Sequence, residues 1–106
     1  MHAQSPCFVG VDLGTSGCRA IAVDADRRIV AEARATLPSP VRIEPDGVEQ
    51  DPEIWWQAVI SVLRTLVARL DGYRAARICV DGTSSTLLLC SLDGSPSGPA
   101  LMYNDT

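Results

Sequence analysis

The sequence predicts an α/β fold with a mixed sheet, in the order β-β-β-α-β followed by a β-hairpin. Short apolar runs separated by polar turns are typical of strands, and one longer stretch repeats its apolar residues at helical spacing. A helix that crosses from three antiparallel strands to a fourth makes that strand parallel to an earlier one, most simply the first. With 106 residues, the chain forms one domain at most.

Three short strands open the chain. Residues 8–12 form the first apolar run. Residues 19–24 have the larger apolar side chains Ile21 and Val23 at alternate positions, and residues 29–35 follow the turn at 24–27. Short polar turns between such runs favour an antiparallel meander. The next segment, residues 37–50, is rich in proline, and we expect an ordered crossing loop without a regular element there.

The helix is predicted to follow Asp51, which is a good N-cap. Pro52 suits the first helical position, and Glu53 favours the positive end of the helix dipole. The apolar stripe predicts core packing, whereas Trp56 lies off it. The stripe consists of Trp55, Val59, Val62, Leu63, Leu66 and Leu70. The helix is expected to end at residues 71–72, where Asp-Gly breaks the pattern.

The fourth strand is predicted at residues 76–81. Residues 86–92 and 100–103 then predict a hairpin around the turn at 93–96. No further element follows that would close the sheet, so we expect an incomplete domain, cut short.

The first and fourth strands each end in an acid that is followed by a loop rich in Gly, Thr and Ser, at residues 12–17 and 81–86. Such a loop offers backbone N–H groups and hydroxyls to an anion, and the acid could reach a phosphate through hydrated Mg²⁺. Parallel neighbouring strands would bring both loops to the sheet edge where ligands bind in open α/β folds. The alternative is ordinary turn chemistry, with Asp accepting local backbone bonds.

Composition removes several classes of function. The net charge of −4 argues against a general nucleic-acid or anionic membrane surface. All nine cationic residues are arginine, which excludes a P-loop lysine, a lysine Schiff base and a lysine-activated serine. His2 is the only histidine, so catalytic triads and histidine-built zinc sites lack a partner within this chain.

Hydropathy and cysteine usage favour the cytoplasm. No apolar run is long enough to span a membrane, and the first residues lack a signal-peptide core. The four cysteines form no CxxC pair, and we expect buried, reduced thiols rather than a disulfide or a metal site. They are Cys7, Cys18, Cys79 and Cys90.

Over nearly its whole length the chain resembles the amino-terminal part of the FGGY-type carbohydrate kinases, in the actin-like ATPase superfamily. The resemblance rests on the segments at residues 12–19, 49–56, 81–86 and 99–105. The segment 49–56 (Glu-Gln-Asp-Pro-Glu-Ile-Trp-Trp) together with Tyr-Asn-Asp at 103–105 is the most specific to sugar kinases. The resemblance implies an RNase H-like fold, with two such domains around a cleft, and MgATP-dependent phosphorylation of a sugar hydroxyl.

The resemblance also implies roles for the nucleotide-binding residues. Asp12 would hold the hydrated Mg²⁺, and Arg19 would neutralise charge on the transferring group, since phosphoryl transfer depends on positioning and electrostatics. The phosphate loop would be lined by Gly14, Thr15 and Ser16.

The sugar site is implied by two other segments. Ser84, with its neighbours Thr83 and Ser85, would face the sugar hydroxyls. The same pocket would be flanked by Tyr103, Asn104 and Asp105. The Asp-Gly-Thr-Ser sequence at 81–84 looks like the ribulose-kinase-like branch, which makes a pentulose such as D-ribulose the expected substrate, with xylulose or another sugar as the alternative.

In this family the catalytic base and the adenine pocket come from later parts of the protein. A sugar hydroxyl needs a positioned carboxylate to accept its proton. We therefore expect no catalytic base in residues 1–106 and no measurable turnover from this chain alone.

Two other classes of function stay open at this stage. One is a non-catalytic nucleotide- or sugar-binding remnant, and the other is a fragment of an actin-like chaperone or cytoskeletal ATPase. Residues 51–56 and 103–105 favour the kinase over the second of these. We also expect self-association, because a piece of this fold would expose apolar surface.

Overall fold

A computed structural model describes residues 4–102 of the chain. Its elements in chain order are β1 (Ser5–Leu13), β2 (Gly17–Val23), β3 (Ile29–Thr36), β4 (Val41–Ile43), β5 (Gly47–Gln50), α1 (Pro52–Ala68), β6 (Tyr73–Gly82) and β7 (Ala100–Leu101). The main sheet has the order β3-β2-β1-β6, with the first three strands antiparallel and β6 parallel to β1. The predicted α/β class, the meander and the parallel fourth strand are therefore confirmed.

The turn between β2 and β3 is built by a short carboxylate. Asp24 Oδ1 accepts hydrogen bonds from the backbone N–H of Asp26 at 2.8 Å and of Arg28 at 2.9 Å. This local bonding lets Arg27 adopt the left-handed region, with φ of 66°. The turn fixes the antiparallel register of the two strands.

Helix α1 begins where the sequence predicts. Asp51 Oδ1 accepts from the backbone N–H of Glu53 at 3.0 Å, which satisfies one of the free donors at the helix start. The last helical residue is Ala68, earlier than the predicted end, and Gly72 (φ 78°) then turns the chain into β6. Trp56, which lies off the apolar stripe, is 57% exposed.

The core lies between α1 and one face of the sheet, mainly over β2 and β3. Alternate strand residues point into it, and several are small, which lets the helix lie close to the sheet. The buried set is Cys7, Val9, Val11, Cys18, Ala20, Ala22, Ala31, Ala33, Leu37, Ala58, Val62 and Leu66. No helix among residues 4–102 is long and apolar enough to cross a membrane.

The expectation of a loop without regular elements at residues 37–50 was wrong. Strands β4 and β5 pair antiparallel there, and β7 pairs with the other side of β5. Residues Gly47–Gln50 alternate half-buried and buried positions, which is the strand period of two. The prolines Pro38, Pro40 and Pro45 lie outside the strands, so they do not interrupt the pairing.

The hairpin predicted after β6 is present only as isolated bridges. Leu87 and Leu101 exchange two backbone hydrogen bonds, of 2.9 and 2.8 Å, and Cys90 bridges Pro96. The segment 100–101 pairs with β5 as well, so its hydrogen bonds go to a strand far away in sequence.

The predicted burial of the four thiols was right for two of them and wrong for two. All four are free, Cys7 and Cys18 are buried, and Cys79 and Cys90 are exposed. Cys79 lies on the sheet face opposite α1, and Cys90 lies beyond the main sheet. An apolar run in the sequence does not say which face of a strand a helix will cover.

Candidate functional site

The two glycine-rich loops lie at one edge of the sheet. β1 and β6 run parallel with Asp12 opposite Asp81 and Leu13 opposite Gly82. Beyond the strands, Thr83 Oγ1 donates to the backbone carbonyl of Leu13 at 3.5 Å. The prediction that residues 12–16 and 81–85 share one rim is confirmed.

The first loop is a tight connection between β1 and β2. The backbone N–H of Gly14 donates to the carbonyl of Gly17 at 2.8 Å, and the carbonyl of Ser16 accepts from Leu37 at 3.0 Å. A Cβ atom on Gly17 would lie 3.1 Å from the carbonyl oxygen of Ala35, so this glycine allows close approach to β3. Thr15 is half-buried and Ser16 exposed, and both remain at the rim.

Charged residues on the sheet face opposite α1 lie next to this loop. Asp12 and Arg19 are neighbours across β1 and β2, and Asp12 and Asp81 are neighbours across β1 and β6. Together with Cys79 they line a groove of about 300 Å³. The groove therefore combines two carboxylates with one guanidinium.

Arg19 is oriented by a residue that the sequence analysis missed. Its Nη2 donates to Glu32 Oε1 at 2.8 Å, from β2 to β3, with both side chains 43% exposed. Within residues 4–102, Asp12 makes no ion pair, so its carboxylate is available to a ligand. Glu32 reaches Arg19 through the β2–β3 register, which the sequence alone does not give.

The second loop presents hydroxyls. Ser84 and Ser85 are exposed, and Ser85 adopts the left-handed region with φ of 57°, which is uncommon for a residue with a Cβ atom. A cavity of about 170 Å³ lies between the loops and carries no charged lining residue. It is lined by Leu13, Gly14, Trp55, Gly82, Thr83 and Thr86. The predicted sugar-site residues Tyr103, Asn104 and Asp105 lie outside the described residues.

A larger cavity lies elsewhere. It measures about 490 Å³ and is formed by residues 49–53 at the start of α1 together with Val41 and the segment 96–99. Its lining contains three carboxylates (Glu49, Asp51 and Glu53) and no cation, which does not suit a phosphate. We therefore take the rim formed by the two loops as the candidate site.

The Glu-Gln-Asp-Pro segment at 49–52 makes hydrogen bonds that stabilise the fold. Gln50 is 3% exposed; its Nε2 donates to the carbonyl of Pro38 at 2.9 Å, and its Oε1 accepts from Trp55 Nε1 at 2.8 Å. The side chain thus ties the 37–50 segment to the first turn of the helix, next to the cavity between the loops. Sequence analysis treated Gln50 only as part of a loop and of a family motif, and missed its bracing role.

One thiol beside the rim, Cys18, has a shifted pKa. Burial, reinforced by the nearby Asp12 carboxylate, raises the pKa of the Cys18 thiol above its ordinary value of 9.0, so Cys18 stays neutral.

No group of three metal-ligating side chains occurs among residues 4–102. A cation here would bind through one or two carboxylate oxygens and retain water, which is how Mg²⁺ binds beside phosphates. The donor set fits hydrated Mg²⁺.

Comparison with known proteins agrees with this geometry. Residues 7–106 match the model of the FGGY family of carbohydrate kinases, N-terminal domain. A xylulose kinase from Streptomyces rubiginosus is 36% identical over 106 residues, covering 97% of this chain and 21% of the relative. A glycerol kinase from Gloeobacter violaceus is 33% identical over 107 residues, covering 97% and 20% respectively. The chain thus spans about a fifth of the length of these relatives.

Solved structures show the same fold. The crystal structure of a xylulose kinase from Rhodospirillum rubrum superposes with a TM-score of 0.85 at 27% identity, covering 94% of this chain and 21% of that one. This likeness confirms the predicted actin-like ATPase fold. The loop geometry, the family match and the relatives agree, and we conclude that this chain belongs to the FGGY family of carbohydrate kinases.

Proposed function

We propose that this chain contributes to the MgATP and sugar sites of an enzyme that phosphorylates a sugar hydroxyl. One observation carries the proposal: β1 and β6 are parallel and in register, which brings the loops at 12–16 and 81–85 to one rim. A phosphate donor and a hydroxyl acceptor must lie side by side for transfer, and adjacent loops meet that requirement. Family membership and the names of the relatives support the same activity.

Five residues in and beside the first loop have a role in this proposal. Asp12 holds the hydrated cation, and Arg19 offsets charge on the transferring group. The phosphates are bound by backbone and hydroxyl groups of Gly14, Thr15 and Ser16. When bound, Mg²⁺ supplies neutralisation of the phosphate charge.

The acceptor is proposed to be a ketopentose. Ser84 and its neighbours Thr83 and Ser85 offer hydroxyls, and the family resemblance proposes further sugar contacts from Tyr103, Asn104 and Asp105, which lie outside the described residues. The resemblance of residues 81–84 to the ribulose-kinase-like branch favours D-ribulose, whereas the relative named xylulose kinase supports xylulose as the second candidate. The uncharged cavity between the loops suits a neutral polyhydroxy compound better than an anion.

The catalytic base is proposed to come from outside residues 1–106. Asp12 is committed to the cation, so it does not serve as the proton acceptor. We therefore expect binding but no turnover from the chain by itself. The exposed, free Cys79 and Cys90 are compatible with the reducing cytoplasm, which is our proposed location.

A chimera tests the proposal. The Streptomyces rubiginosus xylulose kinase would carry this chain in place of its matching segment, and ADP release would be followed with ribulose, xylulose and glycerol. We expect turnover with a ketopentose, and a loss of at least about a hundredfold on Asp12→Asn because the cation site is removed. Asp26→Asn, in the exposed β2–β3 turn, is the matched control and should leave turnover unchanged.

Two results would contradict parts of the proposal. A chimera that is folded by circular dichroism, yet inactive with all three acceptors, argues for the non-catalytic alternative. Equal activity of the chimera and its Asp12→Asn variant contradicts the assigned role of Asp12. If the chimera does not fold, nucleotide binding by the 106-residue chain itself decides, as described at the end of the Discussion.

A further inference from the structure

Four charged residues lie in one row across the main sheet, one on each strand. Pairing places Asp81 opposite Asp12, Asp12 opposite Arg19, and Arg19 opposite Arg34. Neighbouring residues in such a row have Cα atoms about 4.5–5.5 Å apart, and their side chains share one face of the sheet. The row runs from two acids to two cations, on the face opposite α1.

The two arginines of this row are only partly neutralised within residues 4–102. The Arg34 side chain is exposed and makes no hydrogen bond or ion pair with any other residue in 4–102. Arg19 has one ion pair, from Nη2 to Glu32, and its Nε is buried without a partner in the described part of the chain. Like charges directly opposite each other on neighbouring strands are unfavourable unless something neutralises them.

An anion between the two guanidinium groups would remove that repulsion. Arginine is well suited to this task because its planar fork of N–H donors matches two oxygens of a phosphate. The acidic half of the row would hold a divalent cation at the same time. The charges of the row therefore complement those of a magnesium–polyphosphate complex lying across the strands, with the acids at the cation and the arginines at the phosphates.

We propose that Arg34 is a second phosphate-binding cation, acting with Arg19 on the same phosphate group of a nucleotide polyphosphate. This inference deepens the proposed function and rests on it. It extends the phosphate site from the loop at residues 14–16 onto β3, which neither the sequence motifs nor the family match assigns. Glu32, two residues before Arg34 on β3, pairs with Arg19 and not with Arg34, so the Arg34 side chain is left for the ligand.

Binding of inorganic pyrophosphate and of MgADP to the 106-residue chain tests this assignment. Amide chemical shifts of ¹⁵N-labelled protein would give the dissociation constant for the wild type, Arg34→Gln, Arg34→Lys and Arg19→Gln. Arg42→Gln is the matched control, because Arg42 is also exposed on a strand but belongs to the separate sheet of β4, β5 and β7. Low ionic strength keeps exposed charges unscreened.

We expect Arg34→Gln to weaken pyrophosphate binding roughly three- to fivefold, and Arg42→Gln less than about 1.5-fold, since exposed charge contacts have modest energies. Arg34→Lys should recover part of the loss. The double variant Arg19→Gln/Arg34→Gln should lose less than the product of the single effects if both side chains hold one phosphate.

Other outcomes separate the two proposals. If Arg19→Gln weakens binding while Arg34→Gln behaves as Arg42→Gln does, the Arg34 assignment is wrong and the proposed function stands. If the wild-type chain binds neither pyrophosphate nor MgADP, both proposals are contradicted.

Discussion

At the scale of single residues, Asp12 has a cross-strand cationic neighbour and a nearby thiol that responds to its charge. It lies beside Arg19 across the sheet, and its carboxylate adds to the burial that raises the pKa of Cys18. Sequence reasoning identified Asp12 and Arg19 from their spacing around a glycine-rich loop. It did not identify Glu32 or Arg34, because their places beside Arg19 depend on which residue of β3 pairs with which residue of β2.

The raised pKa of Cys18 predicts a dependence of stability on alkaline pH. In the unfolded chain the thiol ionises near its ordinary pKa of 9.0, whereas in the folded protein it stays protonated to higher pH. Its contribution to stability is therefore complete below pH 9 and is lost as the pH rises above that value, by at most about 1.4 kcal/mol per pH unit.

Urea unfolding between pH 8 and 10.5 measures this effect. Cys18→Ala should flatten the alkaline decline in the free energy of unfolding, and Asp12→Asn should reduce it in part. Cys79→Ala, the same substitution at an exposed position, should keep the decline. If the free energy of unfolding falls equally steeply with pH in the wild type and in Cys18→Ala, this thiol does not cause the loss of stability at alkaline pH.

At the scale of elements, sequence patterns located the strands of the main sheet and the helix. These elements could be predicted because the N-cap at Asp51 and the apolar periodicities depend only on residues close together in the sequence. The segment at 37–50 was misjudged, since β5 is stabilised by pairing with β4 and with β7, some fifty residues later. The buried amide of Gln50 holds this small sheet to α1.

Replacement of the two adjacent tryptophans tests the bracing by Gln50. Trp55→Phe removes the Nε1 donor and leaves Gln50 Oε1 buried without its partner, so we expect a loss of about 1–3 kcal/mol in the free energy of unfolding. Trp56→Phe is the matched control, because Trp56 is 57% exposed, and should change stability by less than about 0.5 kcal/mol. Equal losses in urea titrations would contradict the proposed brace.

At the scale of the whole molecule, the chain is elongated and has uncovered apolar surface. Its radius of gyration is 16.4 Å, against about 13 Å for a compact domain of this length. β6 is an edge strand, and its residues Ile78 and Val80 are 56% and 62% exposed because α1 lies mainly over β2 and β3. Sequence analysis anticipated exposed apolar surface from the resemblance, but only the sheet order assigns it to β6.

This surface predicts self-association of the isolated chain. Light scattering should give a mass that rises with concentration, and Ile78→Glu should shift the protein towards monomer because a charge opposes edge-to-edge pairing. Val67→Glu is the matched control, since Val67 is 62% exposed on α1, away from the free edge. A wild-type chain that is monomeric at all concentrations would contradict this prediction.

The central claim is that the loop between β1 and β2, at the rim it shares with the loop after β6, binds the phosphates of a nucleotide. The most direct measurement is a titration of the ¹⁵N-labelled 106-residue chain with ADP, with Mg²⁺ and with EDTA in its place. We predict chemical-shift changes centred on the amides of Gly14, Thr15, Ser16 and Arg19, present with Mg²⁺ and lost with EDTA or in Asp12→Asn. Changes centred elsewhere, or equal changes in the Asp12→Asn variant, would contradict the account.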